Sequence, residues 1–482
     1  MEHKAKRSVA TGVLQAKPFV HPYIPNSVPE IKESMLREIG VESAEELYAD
    51  IPKKFVMKRR LDLPKPSPEF EVRKRVMALL SKNKSFYEMP SFLGAGCWPH
   101  YVPAVCDEIV GRAEFLTSYA GNEYVDLGRF QALFEFQSMI GELVGLDAVS
   151  WPLYDWASIC GEAVRMASRI TGRQEILVPR TINPERLSVM KNYSQSLLDV
   201  KLVNYDRDTG QLDVEDLKNK ISSSTAAVYI ENPSYLGFIE AQGDQISDIA
   251  HDHGALSIVG VEPLSLGVLA APGGYGADIV VGEGQPLGVH MNYGGGVMGI
   301  LACRDEERFV AEMPNLLLTI TTTQDKTGEQ YGFNWWALPK RLHYESREKG
   351  KSFTGTNAAL WGIGAAVFMA LLGPQGIREL GETIMQKAHY AMKLLSDIRS
   401  IKTPLFDSAH FEEFTINFDG TGKTVRNVNN ALLKGGIQGG KDLTTEFPEL
   451  GKTALYCVTE VHSKDQIDKL ATSLKKIVRG KR

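Results

Sequence analysis

The residues best placed to do chemistry lie in Gly282-Glu283-Gly284-Gln285-Pro286-Leu287, which runs on to Gly294-Gly295-Gly296. They follow the short apolar run Ala277-Asp278-Ile279-Val280-Val281, which reads as a strand. Glycines accept positive φ and let backbone approach a ligand closely. In an alternating βα chain, a Gly-rich segment at the C-terminal end of a strand is where a ligand sits. One chemistry for such a pocket is that of pyridoxal phosphate (PLP), which needs a lysine amine for an internal Schiff base. No lysine lies between Lys220 and Lys326. The segment has the outline of an active site without its amine.

The elements that must hold this segment follow from periodicity. Between residues 76 and 310, strand-like runs alternate with helical ones. The strands are read at 175–178, 200–205, 226–230, 256–261, 279–281 and 297–302. Helical segments, such as 214–221 and 245–253, separate several of them. Strands spaced by helices predict parallel pairing in a sheet covered on both faces. Residues 1–75 read as a basic tail followed by a helical arm. Ser27-Val28-Pro29-Glu30 fits a capping box, Gly40 a stop, and Ser43-Ala44-Glu45-Glu46 a second box. Residues 311–374 read as a crossing segment and a buried helix, the apolar run 358–372 being short of the ~18 residues of a membrane span. Residues 375–482 read as a small α+β domain. The predicted fold class is α/β, a mostly parallel sheet with helices on both faces plus that C-terminal domain.

Composition sets outer limits. The chain has 482 residues, a net charge of −5 and 43% hydrophobic residues, which gives no electrostatic case for nucleic acid. Five scattered cysteines, never spaced as CxxC, predict a reducing, cytoplasmic setting rather than a disulfide framework or a metal site. His251-Asp252-His253 looks like a metal trio, but helix residues two apart do not share a face. A solvated surface is the expectation there.

Several motifs carry a more specific signal. They include Phe92-Leu93-Gly94-Ala95-Gly96 with His100-Tyr101-Val102-Pro103, then Glu114 to Tyr119, and Gln131 to Met139. Further along come Tyr154-Asp155, Asn232-Pro233 with Leu236-Gly237, Pro263 to Leu269, Tyr275 to Asp278, and Gly284-Gln285 with Leu287-Gly288. The set, over roughly residues 21 to 475, resembles subunit 1 of glycine dehydrogenase (decarboxylating), the alpha half of the glycine cleavage system P-protein. The resemblance implies a fold-type I PLP-transferase fold and a heterotetramer, α2β2, with a homologous lysine-bearing beta chain. It implies that PLP sits on the beta chain, that glycine is the substrate, and that the aminomethyl group passes to the lipoyl H-protein. Gln285 then stands at the Schiff-base lysine position, so no catalytic residue is expected on this chain. Asp155, Glu262 and Gln285 become a vestigial pocket. His100, Tyr119, Tyr124, Asn232, Arg347, Lys349 and Thr356 become candidates for the subunit boundary or the substrate. No metal, nucleic acid or membrane is implied.

The chain departs from that pattern near the chemistry. The segment Ala120 to Gly128 replaces a longer family segment, Trp156 stands where the family has a glycine after Tyr-Asp, and Glu262 replaces an aspartate. Asn315-Leu316 deletes an arginine. Two readings stay open at this point. One is an ordinary alpha subunit that is inactive alone. The other is a diverged paralogue or pseudoenzyme scaffold pairing with another PLP-bearing chain.

Overall fold

The computed structural model describes residues 20–57, 59, 61–116, 127–295, 297–315, 317–322, 331–336, 350–352, 354–355 and 357–479. The chain divides into two units, Met1–Asn83 and Lys84–Arg482.

The first unit holds helices α1 (Pro29–Ile39) and α2 (Glu69–Leu80). Pro29 occupies the first turn of α1, where a missing N–H costs nothing. Gly40 stops the helix at φ 85°. Ser27 is not the cap that the sequence predicts. Val28 holds that position without a side-chain bond, while the Ser27 hydroxyl accepts from His21 N–H at 2.7 Å and donates to the Ile24 carbonyl at 2.6 Å. The second predicted box forms on a 3₁₀ turn, Ala44–Tyr48, where the Glu46 carboxylate accepts from Ser43 N–H at 3.0 Å. No described residue from 20 to 83 is buried.

In the second unit the strands are β1 (Ala148–Val149), β2 (Glu175–Pro179), β3 (Asp199–Val203), β4 (Thr225–Glu231), β5 (Leu256–Val261), β6 (Ile279–Glu283) and β7 (Gly299–Cys303). They form one sheet in the order β1-β7-β6-β5-β4-β2-β3. Strands β2 to β6 pair in parallel. β7 runs antiparallel to β6, against the parallel expectation for its segment. Parallel return needs a crossover, usually helical. The described residues of 284–298 contain only turns and one 3₁₀ turn, with no crossover helix among them, so the chain folds straight back. Period two sends alternate side chains of the strands to two cores. Leu177, Val228, Val259 and Val280 face one core, and Ile176, Tyr229, Ile258 and Ile279 face the other.

The helices of this unit are α3 (Ala104–Val110), α4 (Ala113–Leu116), α5 (Leu127–Val144), α6 (Trp156–Thr171), α7 (Pro184–Ser194), α8 (Val214–Lys220), α9 (Gly243–Asp252), α10 (Glu307–Val310), α11 (Ala359–Ser396), α12 (Val425–Lys434) and α13 (Lys464–Arg479). α5, α9 and α11 supply Phe136, Ile140, Ile246 and Phe368 to the first core. α6 and α7 supply Ile159, Ala163 and Met190 to the second. α11 is long and apolar enough to cross a membrane by length and composition. It is broken at Gly373-Pro374, and Ile363, Ala365, Phe368 and Met369 are buried in the core.

Strands β8 (Leu317–Thr322) and β9 (Tyr331–Trp336) pair antiparallel in the stretch where the sequence showed little regularity. β10 (Glu413–Asn417), β11 (Lys441–Asp442) and β12 (Thr453–Cys457) form a third sheet in the order β10-β12-β11.

Candidate functional site

The Gly-rich segment leaves β6 at the C-terminal edge of the parallel strands, as the strand reading predicts. Gln285 is 1% exposed and fixed through both carboxamide atoms. Its Oε1 accepts from the Trp98 backbone N–H at 3.1 Å, and its Nε2 donates to the Val289 carbonyl at 2.9 Å. Neighbouring Glu283 accepts backbone N–H bonds from Gln285 at 3.1 Å, Met298 at 3.0 Å and Trp156 at 3.4 Å. Burial pushes the Glu283 carboxyl up to about 8 against the pull of those three donors.

Helix α6 begins beside this turn. Its N-terminus is the place where backbone amides would hold an anion. Here those amides already serve carboxylates. Asp155 is the N-cap and accepts from Ser158 N–H at 2.7 Å, while Trp156 N–H points to Glu283.

Trp156 is buried, with its indole against β5. A Cβ at Gly260 would stand 2.7 Å from Trp156 Cζ2 and 2.7 Å from the Tyr229 hydroxyl, so the indole needs a glycine beneath it. The Arg186 guanidinium carbon lies 3.4 Å from the indole centroid. Such a desolvated cation–π contact contributes about 2 kcal/mol. Arg186 also pairs with Glu231 at 2.9 Å, and the Tyr229 hydroxyl donates to the same Glu231 oxygen at 3.0 Å. The Cys160 thiol donates to that hydroxyl at 3.3 Å. α7 presents Arg186 because Asn183 caps the helix, accepting from Glu185 N–H at 2.8 Å and Arg186 N–H at 3.3 Å.

A second buried constellation adjoins the stack. Glu262, at the end of β5, accepts from Leu264 N–H at 2.9 Å and Ser265 N–H at 2.7 Å. His100 Nδ1 lies 2.9 Å from Glu460 and its Nε2 lies 3.6 Å from Glu412. Glu460 also accepts from Tyr101 N–H at 2.7 Å, and Glu413 accepts from Ala95 N–H at 2.6 Å. Both Glu412 oxygens lack a hydrogen-bond partner among the described residues.

A cavity of about 20 Å³ separates Glu262, Glu412, Glu413, Trp98 and Arg186, room for about one water. Burial raises Glu412 well above the usual carboxylate range. It also raises Glu262 to about 7 against the His100 charge, and Glu413 to about 7 against the Ala95 N–H. Burial opposes protonation of His100, but the Glu460 carboxylate carries its pKa above the ordinary value. A larger cavity of about 860 Å³ opens over Gly94, Gly96, Asp155, Glu283, Gly294 and Trp361.

Of the predicted site residues, the structure brings Asp155 and Gln285 to one turn through Glu283 and Trp156, and sets Glu262 near His100. Asn232 lies apart from that turn, its side chain bonded to Glu240 N–H at 3.1 Å and the Glu240 carbonyl at 3.2 Å. Tyr119, Tyr124, Arg347, Lys349 and Thr356 lie outside the described residues. His251, Asp252 and His253 are exposed, as the solvated-surface reading expects, and both histidines also bond locally. His251 Nε2 lies 2.8 Å from Asp278, and His253 Nδ1 lies 2.9 Å from the Ile249 carbonyl. Sequence reasoning missed Arg186, Glu231, Glu412, Glu413 and Glu460. One signal was available: the acidic pair Glu412-Glu413 between Phe411 and Phe414, two charges in an apolar run where β10 begins.

Comparison with known proteins adds an independent line. A family model described as glycine cleavage system P-protein matches residues 21–474. A protein of Staphylothermus marinus described as "Probable glycine dehydrogenase (decarboxylating) subunit 1" is 43% identical over 467 residues, covering 95% of this chain and 98% of that protein. A Pyrococcus horikoshii protein of the same description is 42% identical over 460 residues, covering 95% and 99%. A crystal structure of glycine decarboxylase (P-protein) of the glycine cleavage system, in inhibitor-bound form, superposes with TM-score 0.81 at 33% identity, covering 95% of this chain and 100% of that one. A Burkholderia pseudomallei sphingosine-1-phosphate lyase superposes with TM-score 0.63 at 14% identity, covering 90% and 94%, a likeness of fold.

Proposed function

Because the chain belongs to the glycine cleavage system P-protein family, we propose that it is the subunit of glycine dehydrogenase (decarboxylating) that does not itself hold PLP. In this reading a homologous lysine-bearing chain carries the cofactor and decarboxylates glycine, with transfer of the aminomethyl group to the lipoyl H-protein. PLP supplies an electron sink for the carbanion that decarboxylation leaves. The assembly is α2β2 and cytoplasmic. Tyr119, Tyr124, Arg347, Lys349 and Thr356 are assigned to the boundary with the partner, and His100 to positioning through Glu460.

The observation that carries this reading is a misfit between the pocket and PLP. The residue at the turn after β6 is a carboxamide, which cannot form a Schiff base, and its two polar atoms are already bonded. The indole of Trp156 and the guanidinium of Arg186 stack on one another beside it, leaving about 20 Å³ between them, Trp98 and Glu262. Two side-chain carboxyl groups, Asp155 and Glu283, take the helix-end amides that a phosphate would use. No catalytic step is therefore assigned to this chain. Its contribution is to shape the boundary and exclude water from the partner's site.

The diverged-paralogue reading has its own support in Trp156 and Glu262, which close this pocket more fully than a missing lysine requires. One experiment separates the two. The chain is purified alone and together with the lysine-bearing homologue, then assayed for PLP absorbance and for exchange of the glycine carboxyl carbon. A colourless lone chain and a coloured, exchanging complex are expected. A coloured complex without glycine exchange would select the paralogue. Colour on the lone chain would defeat the proposal. Gln285→Lys in the lone chain is expected to stay colourless after PLP titration, because the helix-end amides that a phosphate would use remain bonded to Asp155 and Glu283.

A further inference from the structure

The seven-stranded sheet and the third sheet have separate cores. Val228, Val259 and Val280 belong to one, and Phe414, Ile416, Val428 and Leu470 to the other. Where the two meet, backbone packs on backbone. Ile239 N–H donates to the Ala409 carbonyl at 2.7 Å, and Phe411 N–H to the Gly237 carbonyl at 3.4 Å. A Cβ at Gly237 would overlap the Glu413 carbonyl, so the approach there needs a glycine.

Four carboxyl groups are set into this seam. Glu262 comes from the end of β5, Glu412 and Glu413 from the start of β10, and Glu460 from the segment after β12. The first three line a space of about 20 Å³ and are at most 6% exposed. Two cations face the four. His100 lies between Glu460 and Glu412, and Lys387 of α11 donates to the Glu460 carbonyl at 2.5 Å. Arg186 lines the same space, but Glu231 already matches its charge at 2.9 Å. The other titratable neighbours bring no charge. Burial keeps the Cys457 thiol and Tyr235 phenol protonated, and holds His410 and His462 neutral. Fully ionised, the four carboxyls would leave two negative charges uncompensated at a depth where like charges do not coexist.

We propose that the seam is a proton-held clasp, shut while two of the four carboxyl groups carry protons and opening locally when they ionise. The clasp belongs to the lone chain and does not rest on the proposed function. Glu262 and Glu413, raised by burial to about 7, place the change near neutral pH. Opening returns the carboxyls to water and their ordinary value of 4.5, so it releases protons and becomes easier as pH rises between 4.5 and 7. Glu412 is the residue to alter, because neither of its oxygens has a hydrogen bond to lose among the described residues.

The test is amide hydrogen exchange of the full-length chain from pH 5.5 to pH 7, each rate divided by that of the unstructured chain at the same pH. Peptides over 237–240 and 409–412 report the seam, and peptides over 226–230 and 453–457 report the two sheets. Seam protection is expected to lie at least about tenfold below that of both sheets. It is expected to fall by about 100-fold per pH unit, the slope for two protons released. Glu412→Gln removes one of them and lowers the slope to about tenfold per unit. Seam protection that is independent of pH overturns the clasp. So does seam exchange only in step with both sheets, which would mean global unfolding, or a wild-type slope in Glu412→Gln. The wild-type series decides alone if that variant does not fold.

Discussion

At the scale of single residues, the site is held by buried charged groups that pair with one another. Arg186 and Glu231 are both buried and paired at 2.9 Å, so removing one strands the other. Arg186→Ala is expected to lower unfolding free energy by about 3–5 kcal/mol, read from urea denaturation. The carboxylate cluster gives a pH signature. Glu262 and Glu413 are raised to about 7 and Glu412 well above the usual carboxylate range, so the folded chain keeps protons that the unfolded chain releases above its ordinary carboxylate pKa, 4.5. That stability is fully present below pH 4.5 and is lost as pH rises through 7. His100, also raised, acts in the same direction, whereas lowered Glu460 matters only on the acid side.

The melting temperature is therefore expected to fall by several degrees from pH 5.5 to pH 8, and Glu412→Gln to flatten the slope. A rising melting temperature over that range would refute the cluster's assigned protonation. Part of this site was legible in the sequence: the Gly-rich turn with Gln285, and Trp156 beside it, are buried together at the end of β6. The partners of Trp156 were not, because Arg186 and Glu231 come from α7 and β4, and no local pattern links them. Only the sheet order brings them together.

Among the elements, central strands were the easiest to read. β4, β5 and β6 are buried throughout, and near-continuous Val, Ile and Ala runs mark them. The direction of β7 was lost because direction depends on what the linker contains, and its glycines were read only as ligand contacts. β8 and β9 were missed for another reason: exposed Thr residues on β8 blur the period-two signal, although β-branched residues suit strands. α11 shows what one residue does within an element. Gly373 holds φ 62° and ψ −179°, a region open to glycine almost alone, and Pro374 follows. A Cβ there would meet no atom within 4 Å, so the cost of Gly373→Ala is purely backbone. The expected loss is about 1–3 kcal/mol by chemical denaturation. An unchanged midpoint would show that the break between the two helical halves is not needed.

For the whole molecule, the division into two units has a direct consequence. Every core cluster lies beyond residue 83. Deleting residues 1–83 is expected to leave a folded body whose melting temperature stays within a few degrees of the intact chain, measured by calorimetry. Collapse of the transition would mean that the arm carries stability which its exposure conceals. Within that body, Gln285 bears on the protein's descent. Its carboxamide accepts from one buried backbone group and donates to another. An ammonium can donate but cannot accept, so regaining a lysine there would orphan the Trp98 N–H at a cost of about 1–3 kcal/mol. The carboxamide at this turn is thus anchored by the backbone on both sides of it, and an amine could not take its place without breaking one of those bonds.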